Sequence, residues 1–285
     1  MSALPNFNEI RALADALPAY DSKMRDVVRS SIVTQHGPDY ADDADMAGWL
    51  AGAQRRNPPA LVHPRVALFA AVHGVAADLD RGSRETIAAE LAALVEGTGD
   101  LHRLVAARDA DLRVYELALD MPTQDSRAGP AMRADEAARA VAYGMMAIEP
   151  GLDAVVLSSL GLGGDMAAAA ICAALSPGMS VTSPHGDRMA EAVTRHSPAR
   201  DPLALLAALG GPDIAAMVGA ILAARLAGAA IILDGDGARA AGALVKRLRA
   251  DGIDHCLDAG QGAEPPRAGL AALDMLDQAC ALIPA

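Results

Sequence analysis

Aromatic side chains are scarce: two Phe, one Trp and four Tyr account for 2% of 285 residues. A core in a chain this long must then be filled from Ala, Leu, Val, Ile and Met, which suits helices packed closely on a sheet. Cysteine is scarce too. Cys172, Cys256 and Cys280 lie far apart with no CxxC pair, so neither a disulfide framework nor a zinc-thiolate site is signalled, and reduced buried thiols are expected. Positive charge is in deficit, with a formal net charge of -12. That opposes binding to nucleic acid by counterion release and attraction to anionic membranes, leaving small molecules or proteins as partners. The opening "MSALPNFNEIRALADALP" has no basic segment followed by an apolar core, so it does not read as a secretory leader and a cytoplasmic location is expected. The most apolar stretch, "AAMVGAILAARLAGAAIIL" at 215–233, is interrupted by Arg225 and split by Gly228. It reads as a buried helix leading into a buried strand rather than a membrane span.

What is present is an alternation. Short apolar runs at 65–72, 112–119, 154–160 and 229–235 lack the polar/apolar alternation of a half-exposed strand and read as strands covered on both faces. Between and after them lie helical patterns: "RETIAAELAALVEG", "DEAARAVAYGMMAIE", "GDMAAAAICAAL", "DIAAMVGAILAARLA" and "GARAAGALVKRLRA". The order predicts an α/β fold with a doubly wound parallel sheet, whose ligands bind beyond the strand carboxyl ends. Residues 1–60 differ, carrying helical patterns, the polar "TQHGPDYADDAD" and the linker "NPP". With the C-terminal helix in 266–285 they are expected to form a small helical subdomain beside an α/β domain at 61–265.

Three local features carry possible chemistry. "LSSLGLGGDMAAAA" follows a strand and enters a helix through Gly161, Gly163 and Gly164. Such glycines permit close backbone approach, and the free N–H groups of the following helix can hold an anion. The dinucleotide fingerprint GxGxxG fails at Met166, and a short glycine loop can equally serve only to turn the chain. Asp165 sets a carboxylate where an anion would sit, either repelling it or capping the helix itself. "VHGVA" places His73 at a strand end, as a catalyst or as a hydrogen-bonded structural residue. "LDGDG" offers Asp234 and Asp236 to a ribose hydroxyl or a metal, or else forms a glycine turn with Asp236 as helix cap. No Ser-His-Asp or HExxH arrangement stands out.

Read in order, "GWLAG", "HPRVALFAAVHGVA", "GPAM", "LGLGGDMAAAAICAAL", "GGPDIAAMVGAILAARLA", "IILDG", "DHCL" and "AEP" resemble the nicotinate-nucleotide:dimethylbenzimidazole phosphoribosyltransferases along nearly the whole chain. The resemblance implies a Rossmann-like parallel sheet in a three-layer sandwich with a small helical subdomain. It also implies a homodimer and chemistry that needs no metal and no cofactor. In that chemistry a benzimidazole nitrogen attacks the anomeric carbon of nicotinate mononucleotide, nicotinate leaves, and a glutamate serves as general base. The binding positions it implies are His73, Ser159, Gly161, Gly163, Gly164, Asp165, Arg188, Gly210, Gly211, Asp234 and Gly235.

The departures fall where that chemistry belongs. The family loop Gly-Glu-Met-Gly-Ile-Gly-Asn-Thr-Thr becomes Ser158 to Met166, with Ser159 replacing glutamate and Gly164, Asp165 and Met166 replacing Asn-Thr-Thr. The Lys-Pro-Pro-Gly-Ser-Leu-Gly motif becomes Gln35 to Ala41, without its cation. A family lysine near the nucleotide aligns with Arg188, and Asp-Gly-Phe becomes Asp234, Gly235 and Asp236. The C-terminal Gly-Glu-Gly-Ser/Thr-Gly motif has no counterpart, and Glu264 matches a different family glutamate. No catalytic residue is therefore assigned beyond His73 as a candidate substitute base. Two functions are expected to compete. One is a divergent transferase with degenerate catalytic and phosphate sites. The other is a noncatalytic member that binds a base or nucleoside, or partners an intact paralogue.

Overall fold

The computed structural model describes residues 5–76, 81–117, 119–176, 186–196, 199, 201–260 and 266–284, with 81–84 described in backbone only. Helices α1 (Phe7–Asp15), α2 (Ser22–His36) and α3 (Ala41–Gln54) precede strand β1 (Pro64–Val72). Then come α4 (Arg81–Val95), α5 (Asp100–Ala106), β2 (Asp111–Glu116), α6 (Ala134–Met145), β3 (Ala154–Leu162) and α7 (Gly164–Leu175). The rest is α8 (Gly186–His196), α9 (Pro202–Leu209), α10 (Pro212–Ala227), β4 (Ala230–Leu233), α11 (Asp236–Leu248), β5 (Cys256–Asp258) and α12 (Arg267–Cys280). The strands form one parallel sheet in the order β2-β1-β3-β4-β5.

The four expected strands are present, but β2 is not covered on both faces as its run at 112–119 suggests: it ends at Glu116, lies at the sheet edge, and leaves Arg113 and Glu116 exposed. β5 was not foreseen because its three residues give no hydrophobic run of their own, only a place beside Ile231–Leu233. Helices α5, α8 and α9 were not foreseen either, being short or polar.

Alternate side chains of the strands feed two cores. Ala67, Phe69, Val155, Leu157, Ile231 and Leu233 face the layer of α6, α7, α10 and α11. Val66, Ala154, Val156, Ala230 and Ile232 face α3, α5 and α12 through Leu50, Val105, Leu270, Leu273 and Leu276. The result is the expected three-layer α/β sandwich. α2 adds to the outside of α3, where Val28 and Ile32 meet Ala44, Ala47 and Ala279. α1 lies in the other layer, because its apolar face of Ile10 and Ala14 joins the core of α6 and α11. The 1–60 segment thus contributes to both sides of the sheet.

The stretch at 215–233 behaves as its composition implies. α10 ends at Gly228, whose φ of 73° suits glycine, and β4 begins two residues later. Among the described residues no helix is long and apolar enough to cross a membrane. Arg225 is 1% exposed, and its Nε donates to Pro18 O. Arg55 donates to the Arg225 and Leu226 carbonyls that end α10. Arg249 does the same for α1, bonding Ala14, Asp15 and Leu17 carbonyls. Guanidinium forks therefore close helix ends that no side-chain oxygen could close, since carbonyls need donors.

Few aromatics means small residues set the helix spacing. α6 and α10 cross so closely that a Cβ at Gly144 would stand 1.8 Å from Ala216 O, and one at Gly219 would stand 1.9 Å from Val141 O. Both obstacles are backbone, so the helices would have to separate. Gly219→Ala is accordingly expected to lower stability by about 1–3 kcal/mol, the usual cost of overpacking. Gly129→Ala, where nothing lies within 4 Å, should leave the urea midpoint nearly unchanged. Equal midpoints for the two variants would refute the close crossing.

Candidate active site at the strand carboxyl ends

β1 and β3 end side by side, with the N–H of His73 donating to Leu162 O at 2.9 Å. Past this point β3 turns into α7 through Gly163, which adopts φ 82° and leaves the helix without a side-chain cap. A Cβ on Gly163 would meet Ala76 Cβ at 2.7 Å, so the loop presses directly on the segment following β1. Gly161 is pressed as hard, its missing Cβ falling 1.8 Å from Ala71 O. These glycines are thus required by strand and loop packing, whether or not an anion ever approaches.

His73 is buried, 1% exposed, and its Nε2 lies 3.0 Å from Oδ1 of Asp213 in the first turn of α10. Asp213 is equally enclosed. Glycines make room for the pair. A Cβ on Gly211 would fall 2.2 Å from His73 Cε1 and one on Gly163 would lie 3.2 Å from His73 Cβ, whereas one on Gly164 would make only ordinary contact with Asp213 Oδ2 at 3.4 Å. Burial pulls the His73 pKa down, but the Asp213 carboxylate beside it, with a smaller contribution from Asp165, outweighs it and the net shift is upward. Both ring nitrogens are enclosed, so in this conformation neither can reach a molecule outside. The pair joins the end of β1 to the N-terminus of α10, beneath the N-terminus of α7. The sequence signals Asp213 only as one carboxylate in the first turn of an otherwise apolar helix.

Asp165 occupies the first turn of α7 and is exposed, and α7 has no side-chain cap bond. The alternative in which its carboxylate caps the helix is therefore not the one adopted. Arg188, from α8, reaches the same end of the sheet and donates to Val75 O at 3.3 Å. The β2–α6 connection crosses there too, with Thr123 Oγ1 accepting from the Gly74 N–H at 2.9 Å and His196 Nε2 of α8 bonding Ser126 O at 2.9 Å. Gly210 closes α9 and Gly211 opens α10. His73, Gly163, Gly164, Asp165, Arg188, Gly210 and Gly211 are thus brought to one end of the sheet.

The other expected positions sit beside this cluster or away from it. Ser159 faces α11, where its Oγ would be 2.7 Å from a Cβ on Gly237. Asp234 is 1% exposed and accepts a hydrogen bond from the Gly269 N–H in the first turn of α12. Burial raises its pKa, with that bond opposing. Gly235, at φ 89°, precedes α11, and Asp236 is the first helical residue rather than its cap, its carboxylate pairing with Arg239 at 3.3 Å. A glycine cap leaves Asp236 one position too far along to reach back. Among the described residues no His, Cys, Asp and Glu side chains are grouped to hold a metal. Gln35 to Ala41 lie elsewhere: His36 Nε2 bonds Leu282 O beyond the C-terminal end of α12, the end opposite Gly269. A helix of 14 residues places that about 20 Å from Asp234. Glu264 lies outside the described residues.

Comparison with known proteins fits this arrangement. A family model described as a phosphoribosyltransferase matches residues 44–282. The nicotinate-nucleotide–dimethylbenzimidazole phosphoribosyltransferase of Brucella anthropi is 34% identical, aligned over 93% of this chain and 83% of its own. The chain belongs to this family. The Agrobacterium fabrum enzyme of the same name is 33% identical, over 97% and 84%. Two solved structures from Thermus thermophilus, one described by that enzyme name and one as CobT, share the fold at 23% identity. Their TM-scores are 0.76 and 0.78; the first covers 97% of this chain and 94% of its own, the second 96% of each.

The His73–Asp213 pair gives this family member a defined pH response. A raised folded-state pKa means the pair's contribution is complete below the unfolded value of about 6.5 and is lost as pH rises through the folded value. In Asp213→Asn only burial acts strongly on His73, so the sign reverses and the variant loses stability as pH falls below about 6.5. Thermal unfolding of both proteins across neutral pH reads this. Parallel curves would show that the two side chains are not coupled.

Proposed function

We propose that this chain is a divergent phosphoribosyltransferase of cobalamin lower-ligand synthesis whose phosphate cradle and catalytic base are degenerate. The observation that carries the reading is the first turn of α7. Its N–H groups face the strand ends and have no capping side chain, yet the exposed Asp165 stands among them. A carboxylate about 4 Å from one phosphate charge costs roughly 4 kcal/mol at an effective dielectric of 20. Behind the turn, the space is filled by the enclosed His73–Asp213 pair, which brings a second carboxylate. Arg188 supplies one positive charge nearby, fewer than a nucleotide phosphate beside two carboxylates would need.

His73 does not serve as a substitute base in this arrangement, because both its nitrogens are enclosed and one faces Asp213. Ser159 stands where the family has a glutamate, and a serine hydroxyl is no base near neutral pH. Loss of a general base removes about 10²- to 10⁴-fold in rate; loss of phosphate binding adds to it. The same reading includes a homodimer, and it leaves the apolar base as the ligand bound best.

The test pairs an assay with a titration. Chromatography of nicotinate mononucleotide and dimethylbenzimidazole incubated with the protein should show no ribazole phosphate at ordinary enzyme concentration. Turnover near about once per second, a usual enzyme rate, would refute the degenerate reading. Asp165→Thr exchanges a repelling carboxylate for a hydroxyl donor and should strengthen calorimetric binding of nicotinate mononucleotide by at most a few kcal/mol. Tight binding by the parent protein, unchanged in the variant, would place the phosphate elsewhere.

A further inference from the structure

The only tryptophan of this aromatic-poor chain is not in the core. Trp49, on α3, is partly buried at the amino-terminal end of the sheet, the end opposite the family's site. It lines a cavity of about 620 Å³ with Tyr20, Met46 and Leu257, and with the charged Arg25, Asp45 and Asp254. That volume is in the range of small-molecule sites, about 300–1,000 Å³.

The walls are fixed in advance. Tyr20 Oη donates to Trp49 O at 3.2 Å, and Trp49 Nε1 donates to Asp254 O at 3.0 Å. The segment before α2, helix α3 and the turn before β5 are thereby tied to one another through the two aromatic residues. A ligand would find the rings already oriented, which spares it the cost of ordering them.

Charge defines what fits. Arg25 Nη2 is 3.9 Å from Asp45 Oδ1, but that oxygen is held at 2.6 Å by Arg29 Nε. Arg25 therefore has the weaker claim on the carboxylate and can turn to an anion. Beside Tyr20 lies a second guanidinium, that of Arg225, 5.8 Å from the ring centroid. It is buried, and its Nη1 finds no acceptor among the described residues. Against these stand Asp45 and Asp254, which exclude polyanions and offer acceptors to a ring N–H or O–H.

We propose that this cavity is a second ligand site, distinct from the strand carboxyl ends, and that it takes a planar aromatic molecule bearing a single anionic group. The ring stacks on Trp49 and Tyr20, and the anion pairs with the planar fork of Arg25. The inference does not depend on whether the chain is an active transferase.

Trp49 supplies its own readout, because no other indole contributes to the emission. Benzoate titrated into the full-length protein should change that emission saturably. Cyclohexanecarboxylate lacks the planar ring and benzyl alcohol lacks the charge, so each should bind at least about tenfold more weakly. Arg25→Gln should weaken benzoate binding about tenfold or more, the usual range for a hydrogen bond to a charged group, and Arg25→Lys should restore part of it. Arg25 is exposed at the edge of the α2–α3 contact rather than buried in it, and unchanged far-ultraviolet circular dichroism would confirm that both variants fold. A linear, non-saturating decline in emission would overturn the proposal. So would saturation with the same affinity in the parent, Gln and Lys proteins.

Discussion

The meeting of His73 with Asp213 is the contact around which the strand ends are arranged. An imidazole and a carboxylate can be enclosed together only if nothing else competes for the space, and here the competitors would be β-carbons. Gly211 and Gly163 supply that clearance from two different loops, since a Cβ on the first would fall 2.2 Å from His73 Cε1 and one on the second 3.2 Å from His73 Cβ. The loop that resembles a phosphate cradle thus has a mechanical duty independent of any ligand. Packing around the buried pair requires Gly163 and Gly211 whether or not a ligand binds. Removing one partner of such a pair is costly, commonly about 3–5 kcal/mol, because the other is left charged and unpaired.

The same economy of small residues governs the helix layers. With few aromatic side chains to fill space, the layers approach until backbone touches backbone, as at Gly144 and Gly219. Arginine does the complementary work at the periphery. Arg55 and Arg249 reach carbonyls at the ends of α10 and α1, and Arg225 reaches that of Pro18. Acidic overall, the chain uses much of its positive charge to satisfy backbone and carboxylate acceptors within itself.

The sandwich is legible because the central strands β1, β3 and β4 are buried and leave uninterrupted apolar runs, and their crossover helices leave a longer period. β5 escaped because three residues carry no period. The layer taken by α1 was not legible, since an amphipathic helix shows that it has a partner but not which one. Of the positions the resemblance implies, His73, Gly163, Gly164, Asp165 and Arg188 lie together at one end of the sheet. Asp213 is not legible in the sequence, because a carboxylate at a helix start ordinarily signals a solvated first turn and only the tertiary position shows it enclosed. Ser159 and Asp234 could be placed at strand ends from sequence. That Ser159 faces α11 and Asp234 holds the start of α12 is a matter of which face each side chain takes, and a one-residue difference reverses that face.

The attachment of α12 to Asp234 bears on how the chain assembles. One face of the sheet is covered by α3, made before any strand, and by α12, made after all of them. Until residues near 270 are available, Val156 and Ile232 have no Leu270 or Leu273 to meet, and Asp234 has no Gly269 N–H to receive. Contacts spanning so much sequence are slow to form. During synthesis this face is therefore the last to close, and it is the surface through which an unfinished chain would engage a chaperone or a neighbouring copy.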